Sequence, residues 1–241
     1  MGKASVKFLG LGGMGGEMAA EIRHWRNAPH VARYMFSREA IGQAEHDEFI
    51  RKIRSDPNRQ LYVFHINGAP KGVLQYELDT RSSRVAMGYY LKDEGDMFSS
   101  YGVFAKFLFI EHAFLVLGAH KVFGEALWSN GKVRALHERF GYSLEGVLRQ
   151  HVRVGGGAGG EGGGSANRGC RAGVELGPDG GGDGGIGGTG DSGVGDSGMF
   201  EDVCQFGLLR PEWLAGAPRE SIGGAVRAFL APYRLEDIFI G

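Results

Sequence analysis

The chain has 241 residues and 44 of them are glycine, more than twice the usual share of about 7%. Half of that glycine falls in one run, Gly155–Gly198, where 22 of 44 residues are Gly with a single Pro and no Gly-X-Y period, which excludes collagen. The net charge of −1 divides into −4 on that run and +3 on the other 197 residues, so neither part is a strongly basic nucleic-acid binder.

Ser5–Leu11 reads as a short strand. Glu17–Asn27 reads as a helix with Met18, Ile22 and Trp25 on one face, and Val31–Phe36 is a short apolar-aromatic segment. A second helix spans Ile41 to Asp56, with Ala44, Phe49, Ile50 and Ile53 near helical spacing. Three strands follow, Leu61–Ile66, Gly72–Leu78 and Val85–Leu91, separated by turns at Gly68-Ala69-Pro70 and Arg81-Ser82-Ser83. Gly102–Leu117 is a long helix, Lys121–Leu127 a strand, and Gly131–Phe140 a helix ended by Gly141. Tyr142–Val154 and Phe200–Leu209 are strands on either side of the glycine run, and Ser221–Leu230 is a C-terminal helix. Three consecutive strands predict an antiparallel meander, and the strand-helix-strand in the middle predicts a parallel crossover. The class is mixed α/β.

The longest apolar helical segment, Val103 to Leu117, is interrupted by Lys106, Glu111 and His112, and no stretch reaches 18 apolar residues, so no membrane span is expected. The N-terminus shows no signal-peptide apolar region, and Met1-Gly2 lacks the Ser or Thr that myristoylation needs, since the position holds Val6. Cys170 and Cys204 make no disulfide framework. A reducing, cytoplasmic setting is the simplest expectation.

Gly10-Leu11-Gly12-Gly13-Met14-Gly15 fits the dinucleotide-binding spacing and stands between a strand and a helix. The acid that should follow about 20 residues later is missing. That stretch reads His30-Val31-Ala32-Arg33-Tyr34-Met35-Phe36. A glycine-rich turn is the better reading.

A series of short motifs runs from Glu21 to Trp213: Trp25-Arg26-Asn27, Tyr34-Met35-Phe36, Glu45-His46 with Phe49, Gly88-Tyr89-Tyr90-Leu91, His120-Lys121-Val122-Phe123-Gly124-Glu125, Leu136-His137-Glu138-Arg139-Phe140-Gly141-Tyr142, Glu145-Gly146-Val147-Leu148-Arg149, Glu201-Asp202-Val203, Phe206-Gly207-Leu208-Leu209 and Glu212-Trp213. In this order they resemble the GNAT-fold N-acetyltransferases. Within that superfamily the chain looks most like the amino-sugar-nucleotide acetyltransferases of pseudaminic acid synthesis, and it is similar also to ribosomal-protein N-acetyltransferases. The resemblance implies a mixed, mostly antiparallel twisted sheet with a central splayed parallel strand pair and flanking helices. It implies acetyl-CoA as co-substrate, no metal, a small amine (a nucleotide sugar) as acceptor, and leaves a homodimer open.

Mapped onto this chain, the splayed strands are Val85–Leu91 and Lys121–Leu127. Backbone groups near Tyr89, Tyr90 and Leu91 then pair with the pantetheine arm and acetyl carbonyl. The helix starting near Gly102 and Val103 aims free N–H groups at the CoA diphosphate. The chain departs from the family there: Phe98-Ser99-Ser100-Tyr101-Gly102-Val103 sets Ser99 where Arg is common and Ser100 where Gly is common, which removes a positive charge. Glu125 is the expected general base. Asn130 is the expected CoA contact, and His137, seven residues on, the expected acid for the leaving thiolate. Tyr34, Met35, Phe36, Phe49 and Tyr90 are expected to form an apolar acceptor pocket, with a small hydrophobic core as the plain alternative.

The domain reading is one acetyltransferase domain over 1–213, interrupted by the Gly-rich run 155–198 in its last hairpin, and a partly helical extension over 214–241. The run's composition predicts disorder, and loop-closure cost rises only logarithmically with length, so a supported hairpin can accept it. Other readings of the chain are acetylation of a protein N-terminus or other small amine, a non-catalytic module of the same fold, and a nicotinamide enzyme using the front glycines.

Overall fold

The computed structural model describes residues 5–98, 100–154, 199–230 and 238–240, so Ser99 and the run 155–198 lie outside the described residues. In chain order the elements are β1 (Val6–Gly10), a 3-10 turn (Leu11–Gly13), α1 (Gly16–Asn27), α2 (Pro29–Ala32), α3 (Gln43–Ser55), β2 (Arg59–Ile66), β3 (Ala69–Asp79) and β4 (Arg84–Leu91). Then follow a 3-10 turn (Glu94–Phe98), α4 (Tyr101–Leu115), β5 (Lys121–Leu127), α5 (Gly131–Arg139), β6 (Ser143–Val154), β7 (Met199–Leu209), α6 (Arg210–Ala215), α7 (Ala217–Leu230) and β8 (Phe239–Ile240).

One eight-stranded sheet has the order β6-β7-β5-β4-β3-β2-β1-β8. The meander β1–β4 is antiparallel throughout. β4 and β5 are parallel, as the α4 crossover between them requires, and the short β8 joins β1 in parallel at the far edge. This is the mixed fold expected from the sequence, including its central parallel pair.

Side-chain alternation sends successive strand residues to opposite faces. On one face Leu61, Val63 and Val73 meet Ile22 and Trp25 of α1 and Ile50 and Ile53 of α3. On the other, Tyr62, Phe64, Leu74, Val85 and Val122 meet α4, whose Leu108, Phe109, Ile110 and Phe114 are all fully buried. α4 is therefore apolar on nearly every side, as a helix enclosed by sheet and neighbours must be. Ile222, Val226 and Ile238, from the C-terminal segment, are buried in the same core.

The β4–β5 ladder holds only Arg84↔Lys121, Val85↔Val122 and Ala86↔Phe123, while β4 stays paired to β3 as far as Leu91 and β5 to β7 as far as Leu127. Beyond Ala86 and Phe123 the two strands separate. This opening positions the site.

The front glycines fold as a 3-10 turn between β1 and α1, with β1 antiparallel to its neighbour β2. That arrangement is a turn and not the parallel unit that cradles a dinucleotide.

Candidate active site

A cavity of about 440 Å³ fills the gap between β4 and β5. One wall is Met87, Gly88, Tyr89, Tyr90 and Leu91 of β4, and the other is Gly124, Glu125 and Ala126 of β5. Gly102 and Val103 of α4, Val133 and His137 of α5 and the α5 cap Asn130 also line it, as do Arg26, His30, Tyr34, Met35 and Phe36. The ladder stops at Ala86, so the β4 edge facing β5 has no ladder partner from Met87 to Leu91. A ligand lying along it can take those hydrogen bonds.

Most of the expected site residues meet here. Tyr34, Met35, Phe36, Tyr89, Tyr90, Leu91, Gly102, Val103, Glu125, Asn130 and His137 all line the cavity. Phe49 does not: its helical face turns inward, and it packs with Met18 against the α1–α3 core. Ser100 precedes α4 as an exposed residue without a capping hydrogen bond and does not line the cavity. Ser99 falls outside the described residues. Tyr90 contributes to the wall, but its hydroxyl is drawn away to the carbonyl oxygen of Ile22, 3.3 Å distant.

Glu125 stands on β5 opposite Gln205 of β7, whose amide Nε2 donates to Glu125 Oε1 at 3.0 Å. The carboxylate is thereby oriented. Among the described residues Glu125 is the one carboxylate that lines the cavity.

α5 begins at Asn130, whose side-chain oxygen accepts the Val133 N–H at 3.3 Å. The cap uses the carbonyl and leaves the amide NH2 for another partner. Two turns later, on the same helical face, comes His137. It is buried, its ring stacks on Phe206 at 4.7 Å, and Tyr142 meets it edge-on, also at 4.7 Å. Burial, reinforced by Lys106 beside it, holds the imidazole well below its ordinary pKa, so it is neutral at pH 7. Tyr89 packs against Gly102 at the start of α4, and burial raises its phenol pKa.

Sequence reasoning passed over Arg26, His30, Lys132 and the buried Lys106. The signal for Lys106 was its interruption of an otherwise apolar helix. A charged residue at such a position is buried with its helix unless it snorkels out.

A family model for the acetyltransferase (GNAT) domain matches residues 16–143. Among solved structures, the spermidine N-acetyltransferase of Vibrio cholerae in complex with CoA and spermine is similar at 13% identity, covering 88% of this chain and 98% of its own, with a TM-score of 0.61. A chimera of the Vibrio cholerae spermidine N-acetyltransferase and hSSAT is similar at 13% identity, covering 89% of this chain and all of its own, with a TM-score of 0.62. At these identities the likeness is one of fold. Among proteins with curated descriptions none matches.

Proposed function

The chain belongs to the acetyltransferase (GNAT) family, and from that premise we propose that it transfers acetyl from acetyl-CoA to the amine of an amino-sugar nucleotide by direct attack. The observation carrying the acceptor assignment is the set of side chains that α1, α2 and the segment after them bring to the cavity. Tyr34, Met35 and Phe36 offer faces for a nucleobase and a deoxy-sugar methyl, and Arg26 and His30 stand beside them. Glu125 is the one carboxylate lining the cavity among the described residues, while Arg26 and Lys132 are cations. A diphosphate-bearing amine suits that balance, and a polycation does not.

The residues present fit acetyl-CoA. The separated edge of β4 accepts the extended pantetheine arm, α4 turns its N-terminus toward the same gap, and the Asn130 amide supplies a further donor. When bound, the thioester supplies an activated acyl group. Tyr89, Tyr90 and Leu91 hold it by backbone groups, and Gly102, Val103 and Asn130 hold the remainder. Ser99 and Ser100 extend this reading to the loop before α4.

Orientation of the two reactants is the main source of rate. Glu125 accepts a proton from the attacking amine, and His137 serves the leaving sulfur. Acid–base catalysis of this kind contributes about 100-fold or more.

A second reading, acetylation of a small aliphatic amine, is favoured by the similarity to proteins described as spermidine N-acetyltransferases. The test is thiol release from acetyl-CoA with a UDP-amino sugar, with spermidine and with an amine-terminal peptide. Turnover of the nucleotide sugar is expected. Turnover of spermidine without the nucleotide sugar overturns the acceptor assignment.

A further inference from the structure

Lys106 is 0% exposed, in the middle of α4, and its Nζ lies 2.9 Å from Nδ1 of His137. It stands one helical turn beyond Gly102 and Val103, on the face of α4 that closes the cavity. Its surroundings are aromatic: Nζ is 4.4 Å from the ring centre of Tyr142 and 5.2 Å from that of Phe140. Among the described residues no carboxylate pairs with it. The titratable groups around the couple are Tyr142, whose buried hydroxyl finds no hydrogen-bond partner there, Tyr89 from β4, and Glu125 across the cavity.

A lysine buried without a counter-ion is costly, and a helix of Leu, Phe and Ala could pack as well without it. Its geometry makes sense as a partner for the imidazole. A ring nitrogen that accepts a hydrogen bond carries no hydrogen, so an N–H donated to Nδ1 leaves the hydrogen on Nε2.

We propose that Lys106 is a positioning residue that holds His137 in its Nε2–H tautomer and refills it with a proton during acetyl transfer. As the C–S bond of the tetrahedral adduct breaks, the departing thiolate takes the proton from Nε2. Nδ1 takes a proton from the Lys106 ammonium in the same relay. The Nε2–H and Nζ–H bonds break and S–H and Nδ1–H bonds form. A thiolate and an ammonium become a thiol and an amine, and nothing is oxidised or reduced. After the products leave, solvent delivers a proton to Nε2 and the Nδ1 proton returns to Lys106 Nζ, which restores the starting couple. Burial lowers the Lys106 pKa well below the ordinary lysine value, which makes its ammonium a stronger acid than a solvated one.

The inference rests on the acetyl-transfer reading, and its test has two arms. In the first, 15N NMR of protein labelled at histidine reads the His137 tautomer without substrate, with the signal assigned by its loss in H137Q. The Nε2–H form is expected in the native chain, giving way to a mixture in Lys106→Met. Hydrogen on Nδ1 in the native chain overturns the proposal. In the second, Lys106→Met lowers kcat about 100-fold with the KM for acetyl-CoA unchanged, and alters the pH profile of kcat. Retention of both the native kcat and the native pH profile overturns it. A tautomer that depends on Lys106 supports the proposal even where the nucleotide sugar is not turned over, so the two readings fail separately.

Discussion

Arg38 Nη2 lies 2.7 Å from Glu201 Oε2, although 163 residues separate the two in sequence. Arg38 follows the segment that carries Tyr34, Met35 and Phe36, and Glu201 is on β7. The other Glu201 oxygen accepts the Ser129 N–H at 3.1 Å, next to Asn130. One carboxylate thus ties the aromatic segment of the cavity to the loop between β5 and α5. The same segment is tied again beside Arg38, by Arg26 Nη2 donating to the Ser37 carbonyl at 2.6 Å.

Arg38→Ala should loosen the aromatic wall without touching the reacting atoms. A partly exposed ion pair is worth up to about 1 kcal/mol, which corresponds to about a fivefold change in binding. The KM for the acceptor is expected to rise about two- to fivefold with kcat nearly unchanged. Steady-state kinetics at saturating acetyl-CoA, varying the acceptor, checks this.

Glu125→Gln keeps the size and the hydrogen-bonding capacity of the side chain beside Gln205 while removing its basicity. The rate at fixed pH is expected to fall about 100-fold, with the unfolding midpoint in urea unchanged. Thiol release under single-turnover conditions reads the chemical step. An unchanged rate removes Glu125 as the base.

His112 gives the fold an acid-sensitive point. Its ring is buried, stacked on Phe239 at 4.0 Å, with Nδ1 unpartnered among the described residues. Burial pushes its pKa down from 6.5 to about 4. The unfolded chain therefore binds a proton between pH 6.5 and 4 that the folded chain refuses. The stabilisation is complete above pH 6.5 and is lost as pH falls toward 4, at up to about 1.4 kcal/mol per pH unit. Burial shifts His46 and His65 in the same direction. His112→Phe, which keeps a ring against Phe239, should flatten part of this slope in urea unfolding at pH 7 and pH 5.

The strands flanking the glycine run pair up to its edges, with Val154 opposite Met199. A short turn can join those two residues directly. Replacing 155–198 by a four-residue turn is expected to preserve the fold and to stabilise it by up to about 2 kcal/mol through the smaller closure cost. Circular dichroism and a thermal melt check the outcome. Loss of soluble folded protein counts against the run being a tolerated insertion.

The elements that were easiest to read are those whose local pattern and tertiary role agree. β5 occupies Lys121–Leu127 as its apolar run and flanks predict, and α5 ends at Arg139, two residues before Gly141, whose φ of 79° suits glycine just past a helix end. The less legible features depend on partners far away in sequence. Phe49 has the helical spacing of a pocket residue, but spacing identifies a face and not what covers it, and here the sheet does. α6 and the two-residue β8 are too short to carry a period. The serine-bearing loop before α4 matched the family pattern only at Gly102, and the described cavity begins at that residue.

Sequence alone determined the mixed α/β order, the parallel crossover through α4, the concentration of glycine in one run, and most of the cavity's residue types. These follow from side-chain periodicity and turn chemistry, which act over a few residues. Tertiary structure decided that the β4–β5 ladder ends at Ala86 and Phe123, that Gln205 orients Glu125, that Glu201 reaches Arg38, and that a lysine in an apolar helix meets His137 at 2.9 Å. Each joins groups on different elements. A hydrogen bond depends on positions to within a few tenths of an ångström, and only the packed sheet and helices set those positions.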